Sequence, residues 1–162
     1  MASAKNLCHP TLQRICRRRI ELDYEGLASL RAHFFRERIR LLIEPINTLD
    51  IPGFFLNGTR QAVQVISDVR SENLFIQYDI YHMQVMEGDI ARSLQKHLAR
   101  ISHVQLADNP GRNEPGTGEI NYPFLFRYLD QIGYRGWVGC EYKPRTTTAE
   151  GLGWHAMQTM DT

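Results

Sequence analysis

Three carboxylates and one amide recur at the ends of short apolar runs. Glu44 closes Leu41-Leu42-Ile43, Asp79 closes Leu74-Phe75-Ile76-Gln77-Tyr78, Gln105 stands near the end of Ile101-Ser102-His103-Val104-Gln105-Leu106, and Glu141 follows Gly136-Trp137-Val138-Gly139-Cys140. Taken singly, each has an ordinary explanation, since a strand-end carboxylate often caps the next helix or pairs with a nearby arginine. Four in the same relation to four runs argue for one shared site. Converging, they would offer hard oxygen ligands and roughly three negative charges, which suits Mg²⁺ or Mn²⁺. Zinc is less favoured, because it prefers imidazole or thiolate and Gln105 is neither. Crowded like charges also raise carboxyl pKa values, so the metal-free site should hold protons that a cation expels. His82, three residues beyond Asp79, stands where it could hydrogen-bond a substrate hydroxyl or carbonyl. Arg112 lies in a turn-rich loop, where a planar guanidinium could clamp a substrate carboxylate through two bonds. Lys143 reads as solvated and His103, inside its run, as a packing residue.

The elements that must position these residues follow from periodicity. From Arg40 onward, short β-like runs alternate with amphipathic stretches of helical length, the pattern of βα units sharing a parallel sheet. Strands are expected at Leu41 to Ile46, Leu74 to Asp79, Ile101 to Leu106 and Gly136 to Tyr142, with Pro45 and Pro144 stopping the first and last. Their apolar residues are consecutive, as in strands covered on both faces. Helices are expected over Gly58 to Val69, with Thr59 as cap and Ala62, Val63, Val65, Ile66 and Val69 on one face, and over Asp89 to Ala99. A third runs from Tyr122 to Ile132 and closes at Gly133, and Thr146, Thr147 and Thr148 offer caps for a last one containing Leu152 and Trp154. The loop from Asn109 to Gly118 is dense in turn formers and reads as an active-site loop. Residues 1–38 differ, with Arg14, Arg17, Arg18 and Arg19 clustered and only Leu27, Leu30 and Phe34 hinting at an amphipathic helix. They read as a divergent helical or disordered arm preceding a domain of residues 39–162.

Composition narrows the partners. With 43% hydrophobic and 23% charged residues among 162, the chain has the balance of one globular domain. Nineteen Lys and Arg against eighteen Asp and Glu leave no field to attract nucleic acid or an anionic membrane, so a small molecule is the expected partner. No apolar stretch approaches the roughly 20 residues that span a bilayer, and the polar start precedes no secretory core; a cytoplasmic protein is expected. Cys8, Cys16 and Cys140 fit neither a disulfide framework nor a structural zinc site, and Cys140, in its apolar run, is expected to be buried.

The motifs Leu42-Ile43-Glu44-Pro45-Ile46-Asn47, Gln77-Tyr78-Asp79-Ile80-Tyr81-His82, His103-Val104-Gln105-Leu106-Ala107-Asp108-Asn109-Pro110, Glu114-Pro115-Gly116-Thr117-Gly118-Glu119-Ile120-Asn121 and Gly139-Cys140-Glu141-Tyr142-Lys143-Pro144 resemble the hydroxypyruvate isomerase branch of the xylose-isomerase-like barrels. The resemblance runs from about Arg40 to Trp154 and implies an α/β fold: a partial (β/α)₈ TIM barrel of about four βα units, strands five to eight. It further implies that Glu44 and Glu141 form the acid/base pair and approach the metal, that Asp79 and Gln105 complete the metal site, and that His82 and Arg112 contact substrate. In the sugar epimerases that the resemblance also takes in, the position of Gln105 looks like a histidine ligand, so the amide fits the keto-acid branch. The implied reaction interconverts hydroxypyruvate and tartronate semialdehyde through a metal-stabilised enediolate. The alternatives are a 2-oxo-tetronate (sugar acid) isomerase, or an inactive truncated half-barrel that needs a partner to fold. A half-barrel exposes strand edges, through which a homo-oligomer could form. A metal-dependent endonuclease on the same barrel would call for more histidine and a basic face.

Overall fold

The structure, a computed structural model, describes Gly26 and residues 39–158. The expected N-terminal arm therefore lies outside the described residues, Gly26 excepted. The order of elements is β1 (Leu41–Ile43), α1 (Thr59–Val69), β2 (Leu74–Asp79), α2 (Ile80–Met86), α3 (Ile90–His97), a 3₁₀ turn (Leu98–Arg100), β3 (Ile101–Leu106), α4 (Tyr122–Gln131), β4 (Val138–Cys140), α5 (Thr148–Gly151) and α6 (Gly153–Gln158). The chain divides into two compact units, one taking in Val65–Leu74 and the chain up to Leu41, the other Leu42–Gln64 and Phe75 onward. In the first, Val65, Ile66, Val69 and Leu74 are buried, and the Leu41 N–H donates to the Asn73 carbonyl at 2.9 Å.

The second unit carries most of the residues of the sheet, whose strands are ordered β1-β2-β3-β4, with β2, β3 and β4 running parallel. Period-two alternation sorts its side chains. Ile76, Tyr78, Val104 and Leu106 are buried on one face, while Gln77, His103 and Gln105 are half-buried on the other. The expectation of two covered faces is thus met on only one side among the described residues. Ile80, Met83, Ile90, Leu94, Leu125 and Leu129 bury the apolar stripes of α2, α3 and α4. Each contributes about 2 kcal/mol by leaving water. His103 has partial rather than core burial, its Nε2 lying 2.8 Å from where a Cβ on Gly139 would stand.

Several local expectations are refined. Helix α2 follows Asp79 without a loop, because Asp79 itself is the N-cap and its side chain accepts from the His82 N–H. Gly58 rather than Thr59 precedes α1: its carbonyl accepts the Ala62 N–H at 3.0 Å, and the Thr59 hydroxyl turns to Met83 Sδ instead. Gly133, at φ 82°, follows α4 as expected. Thr147 forms a capping box with Glu150 at α5, which ends before Leu152, so Trp154 falls in α6. Cys140 is exposed, contrary to expectation, because among the described residues β4 ends the sheet and pairs only with β3. Among the described residues no helix is long and apolar enough to cross a membrane.

Candidate active site

Register brings the strand ends together. Asp79 lies opposite Gln105 across β2 and β3, Gln105 lies opposite Gly139 across β3 and β4, and Glu141 comes two residues later. In parallel α/β sheets this carboxyl edge is where loops assemble ligand sites. Pro45 halts β1 immediately beyond Glu44, leaving that side chain at the same edge.

Glu44, Asp79 and His82 each offer a ligand atom, and the three atoms lie within 4.8 Å of one another. His82 Nε2 is 4.0 Å from both Glu44 Oε1 and Asp79 Oδ2. Asp79 is fully buried; its Oδ1 accepts from the His82 N–H at 3.1 Å, whereas its Oδ2 has no hydrogen-bond partner among the described residues. A buried, partnerless carboxylate oxygen costs several kcal/mol unless a cation or proton meets it. Burial, then the charges of Asp79 and Glu141, push the Glu44 carboxyl up to about 7. Burial likewise raises Asp79 to about 6, against the opposing pull of the His82 N–H and Arg112. The site therefore holds excess protons near neutrality, and its oxygen-rich donor set fits a divalent metal.

Gln105 joins through a bridge that sequence reasoning missed. Gln77 Nε2 donates to Glu44 Oε2 at 2.8 Å and to Gln105 Oε1 at 2.6 Å, using both its hydrogens. Gln77 shares the face of Asp79 at a spacing of two, the one signal that could have revealed it. Glu141 stands across the site, half-exposed, with its Oε1 3.2 Å from Arg112 Nη2.

Arg112 has φ 53°, a left-handed backbone that costs a non-glycine residue about 1 kcal/mol. Neighbouring bonds hold it there: its carbonyl accepts the Lys143 N–H at 2.8 Å, and Asn113 Nδ2 donates to the Lys143 carbonyl at 2.7 Å. The guanidinium sits 5.3 Å from the centre of the Tyr81 ring, a cation–π contact, and 3.4 Å from His82 Nε2. Asp108, also buried, organises the whole loop. Its Oδ2 accepts from the N–H groups of Gly116, Thr117 and Gly118, and its Oδ1 from those of Asn109 and Ile120. Gly118 must lack a side chain, since a Cβ there would lie 2.0 Å from the Asn109 carbonyl oxygen.

Behind His82, Asn47 and Asp50 form a second polar layer. Burial works to raise Asp50, but hydrogen bonds from Asn47 and Tyr81 and the charge of Arg112 hold its carboxyl below the usual range. Burial and the Arg112 charge push His82 down, keeping the ring neutral near physiological pH. All six expected site residues thus meet at one sheet edge: Glu44, Asp79 and His82 as a cluster, Gln105 through Gln77, and Glu141 through Arg112.

Residues 9–157 match the model of the family described as xylose isomerase-like TIM barrel. The chain is 60% identical over 130 residues to the hydroxypyruvate isomerase of Escherichia coli K12, covering 80% of this chain and 50% of that protein. It is 47% identical, with the same coverage of each, to the 2-oxo-tetronate isomerase of Cupriavidus necator. Among solved structures, one described as AP endonuclease, family 2, from Brucella melitensis superposes with a TM-score of 0.80 at 43% identity, covering 83% of this chain and 52% of that one. The chain spans about half the length of the curated relatives it matches.

Proposed function

Because this chain belongs to the xylose isomerase-like TIM barrel family, we propose that its strand-end site serves a sugar-acid isomerase interconverting hydroxypyruvate and tartronate semialdehyde. The observation that carries the proposal is the meeting of half-buried Glu44 with buried Asp79, one oxygen of Asp79 having no hydrogen-bond partner among the described residues. Glu44, Asp79, Gln105 and Glu141 would hold Mg²⁺ or Mn²⁺, and the ion would supply positive charge to substrate oxygens as negative charge develops on them.

The side chains do the proton work. A glutamate whose carboxyl titrates at about 7 is poised both to take and to return a proton at neutral pH. Glu44 and Glu141 form the acid/base pair: one removes a proton from the hydroxymethyl carbon of hydroxypyruvate, the electron pair moves into an enediolate, the hydroxyl proton passes from the terminal oxygen to the former ketone oxygen, and a proton returns to the adjacent carbon to give the aldehyde. His82 faces the oxygen that gains negative charge. Arg112, braced by Tyr81 and the Lys143 backbone, offers its guanidinium to the substrate carboxylate while holding Glu141 across the site. The 47% identity to a 2-oxo-tetronate isomerase supports a second substrate, a four-carbon 2-oxo acid, which the same clamp would accept. Balanced charge argues against a nucleic-acid substrate.

The test is solvent exchange: the chain, incubated in deuterated water with Mg²⁺ or Mn²⁺, should place deuterium on the hydroxymethyl carbon of hydroxypyruvate, and Glu44→Gln should abolish it. A folded wild-type chain that exchanges neither hydroxypyruvate nor a 2-oxo-tetronate would overturn the reading.

A further inference from the structure

Asn47 lies three residues beyond Glu44 and is fully buried. Asp50 fixes its orientation: Asn47 Oδ1 accepts from the Asp50 N–H at 2.7 Å, and Asn47 Nδ2 donates to Asp50 Oδ2 at 3.1 Å. A backbone N–H can only donate and an ionised carboxylate can only accept, so the amide cannot be turned over without breaking both bonds. Asp50 is itself anchored by the Tyr81 hydroxyl, which donates to Oδ2 at 2.9 Å.

That fixed amide decides the protonation of the neighbouring ring. Asn47 Nδ2 is 2.7 Å from His82 Nδ1, and the Asn47 backbone N–H donates to the same nitrogen at 3.3 Å. Two donors aimed at Nδ1 require a lone pair there, which leaves the proton of the neutral ring on Nε2. The far side agrees, because Nε2 faces the oxygens of Glu44 and Asp79, a negative setting that favours a hydrogen. Arg112 Nη2, a donor 3.4 Å from Nε2, pulls the other way, but it is one long contact against two on Nδ1.

Resting on the isomerase reading above, we infer that Asn47, locked by Asp50, is a positioning residue that holds His82 in its Nε2–H tautomer. The ring then presents a hydrogen-bond donor to a substrate oxygen above the two carboxylates. Although His82 lies close enough to Glu44 and Asp79 to be counted with them, the lone pair a cation would need points at Asn47.

Nitrogen-15 spectra of the metal-free protein at about pH 8, where an ordinary histidine is neutral, read the tautomer directly. The wild-type His82 signals should show Nε2 protonated and Nδ1 bare. Asn47→Asp, nearly the same shape but with acceptors only, should move the proton to Nδ1 and slow substrate exchange about 10²-fold, the scale of losing one oxyanion donor. A wild-type ring protonated at Nδ1 overturns the inference even if the variant does not fold, and so does a folded variant with an unchanged tautomer. Absence of exchange in the wild type would count against the isomerase reading alone, since the spectra do not depend on turnover.

Discussion

Replacing Asp79 by asparagine removes one buried negative charge while keeping an oxygen to accept the His82 N–H at the start of α2. Asp79 ionises near 3.8 in an unfolded chain but at about 6 in the folded one, mainly because it is buried. Between those values the folded state binds more protons, so Asp79 makes stability fall as pH rises through that window. Converted to free energy, that gap between the folded and unfolded chains amounts to about 3 kcal/mol. The amide adds a penalty of its own, since its buried N–H groups need acceptors, but that offset does not change with pH. The informative quantity is therefore the difference in stability between Asp79→Asn and wild type, measured by urea unfolding in chelator from about pH 4 to 8. It should grow in favour of the variant by about 2.4 kcal/mol over that window, and more if Glu44, relieved of a negative neighbour, also ionises more readily. Saturating Mn²⁺ should shift the balance back toward wild type: a ligand at 100 times its Kd stabilises wild type by about 2.7 kcal/mol and the variant by much less. Parallel stability curves, or an undiminished Mn²⁺ effect in the variant, would refute the reasoning.

Other perturbations reach different parts of the site. Asp108→Ala strands five backbone N–H groups now held by one carboxylate, and should cost about 3 kcal/mol or more in urea unfolding. Gly118→Ala drives a methyl into the Asn109 carbonyl and should lower the thermal midpoint while weakening substrate binding through the displaced loop. Arg112→Lys keeps the charge but loses the flat contact with Tyr81 and the two-pronged clamp. It should raise KM for the carboxylate substrate about tenfold with little change in stability, as steady-state kinetics and thermal melts would show.

The sheet was legible where sequence and burial agree. β2 and β3 match the expected runs at both ends, because apolar residues facing the helices alternate with Gln77, His103 and Gln105 and polar closure follows. Helix α2 was not legible, since Ile80, Tyr81 and Met83 adjoin the strand with no turn former between them; only Asp79, a good cap, marked the boundary. β1 and β4 are three residues each, shorter than their apolar runs, because among the described residues each ends the sheet and stops where its one neighbour there stops pairing. The same edge exposes Cys140. The strand-end residues were visible because strand direction alone brings them to one rim. Asn47 was not, because its role depends on reaching a ring thirty-five positions away, a contact that no local pattern encodes.

The central claim is that carboxylates from separate βα units share one divalent ion. Crystals grown with Mn²⁺ and measured for anomalous scattering test it most directly. One strong peak should appear between Glu44 and Asp79, with an oxygen of each bound to it. A peak elsewhere, or an Asp79 Oδ2 still unpartnered beside well-ordered Mn²⁺, would contradict the account.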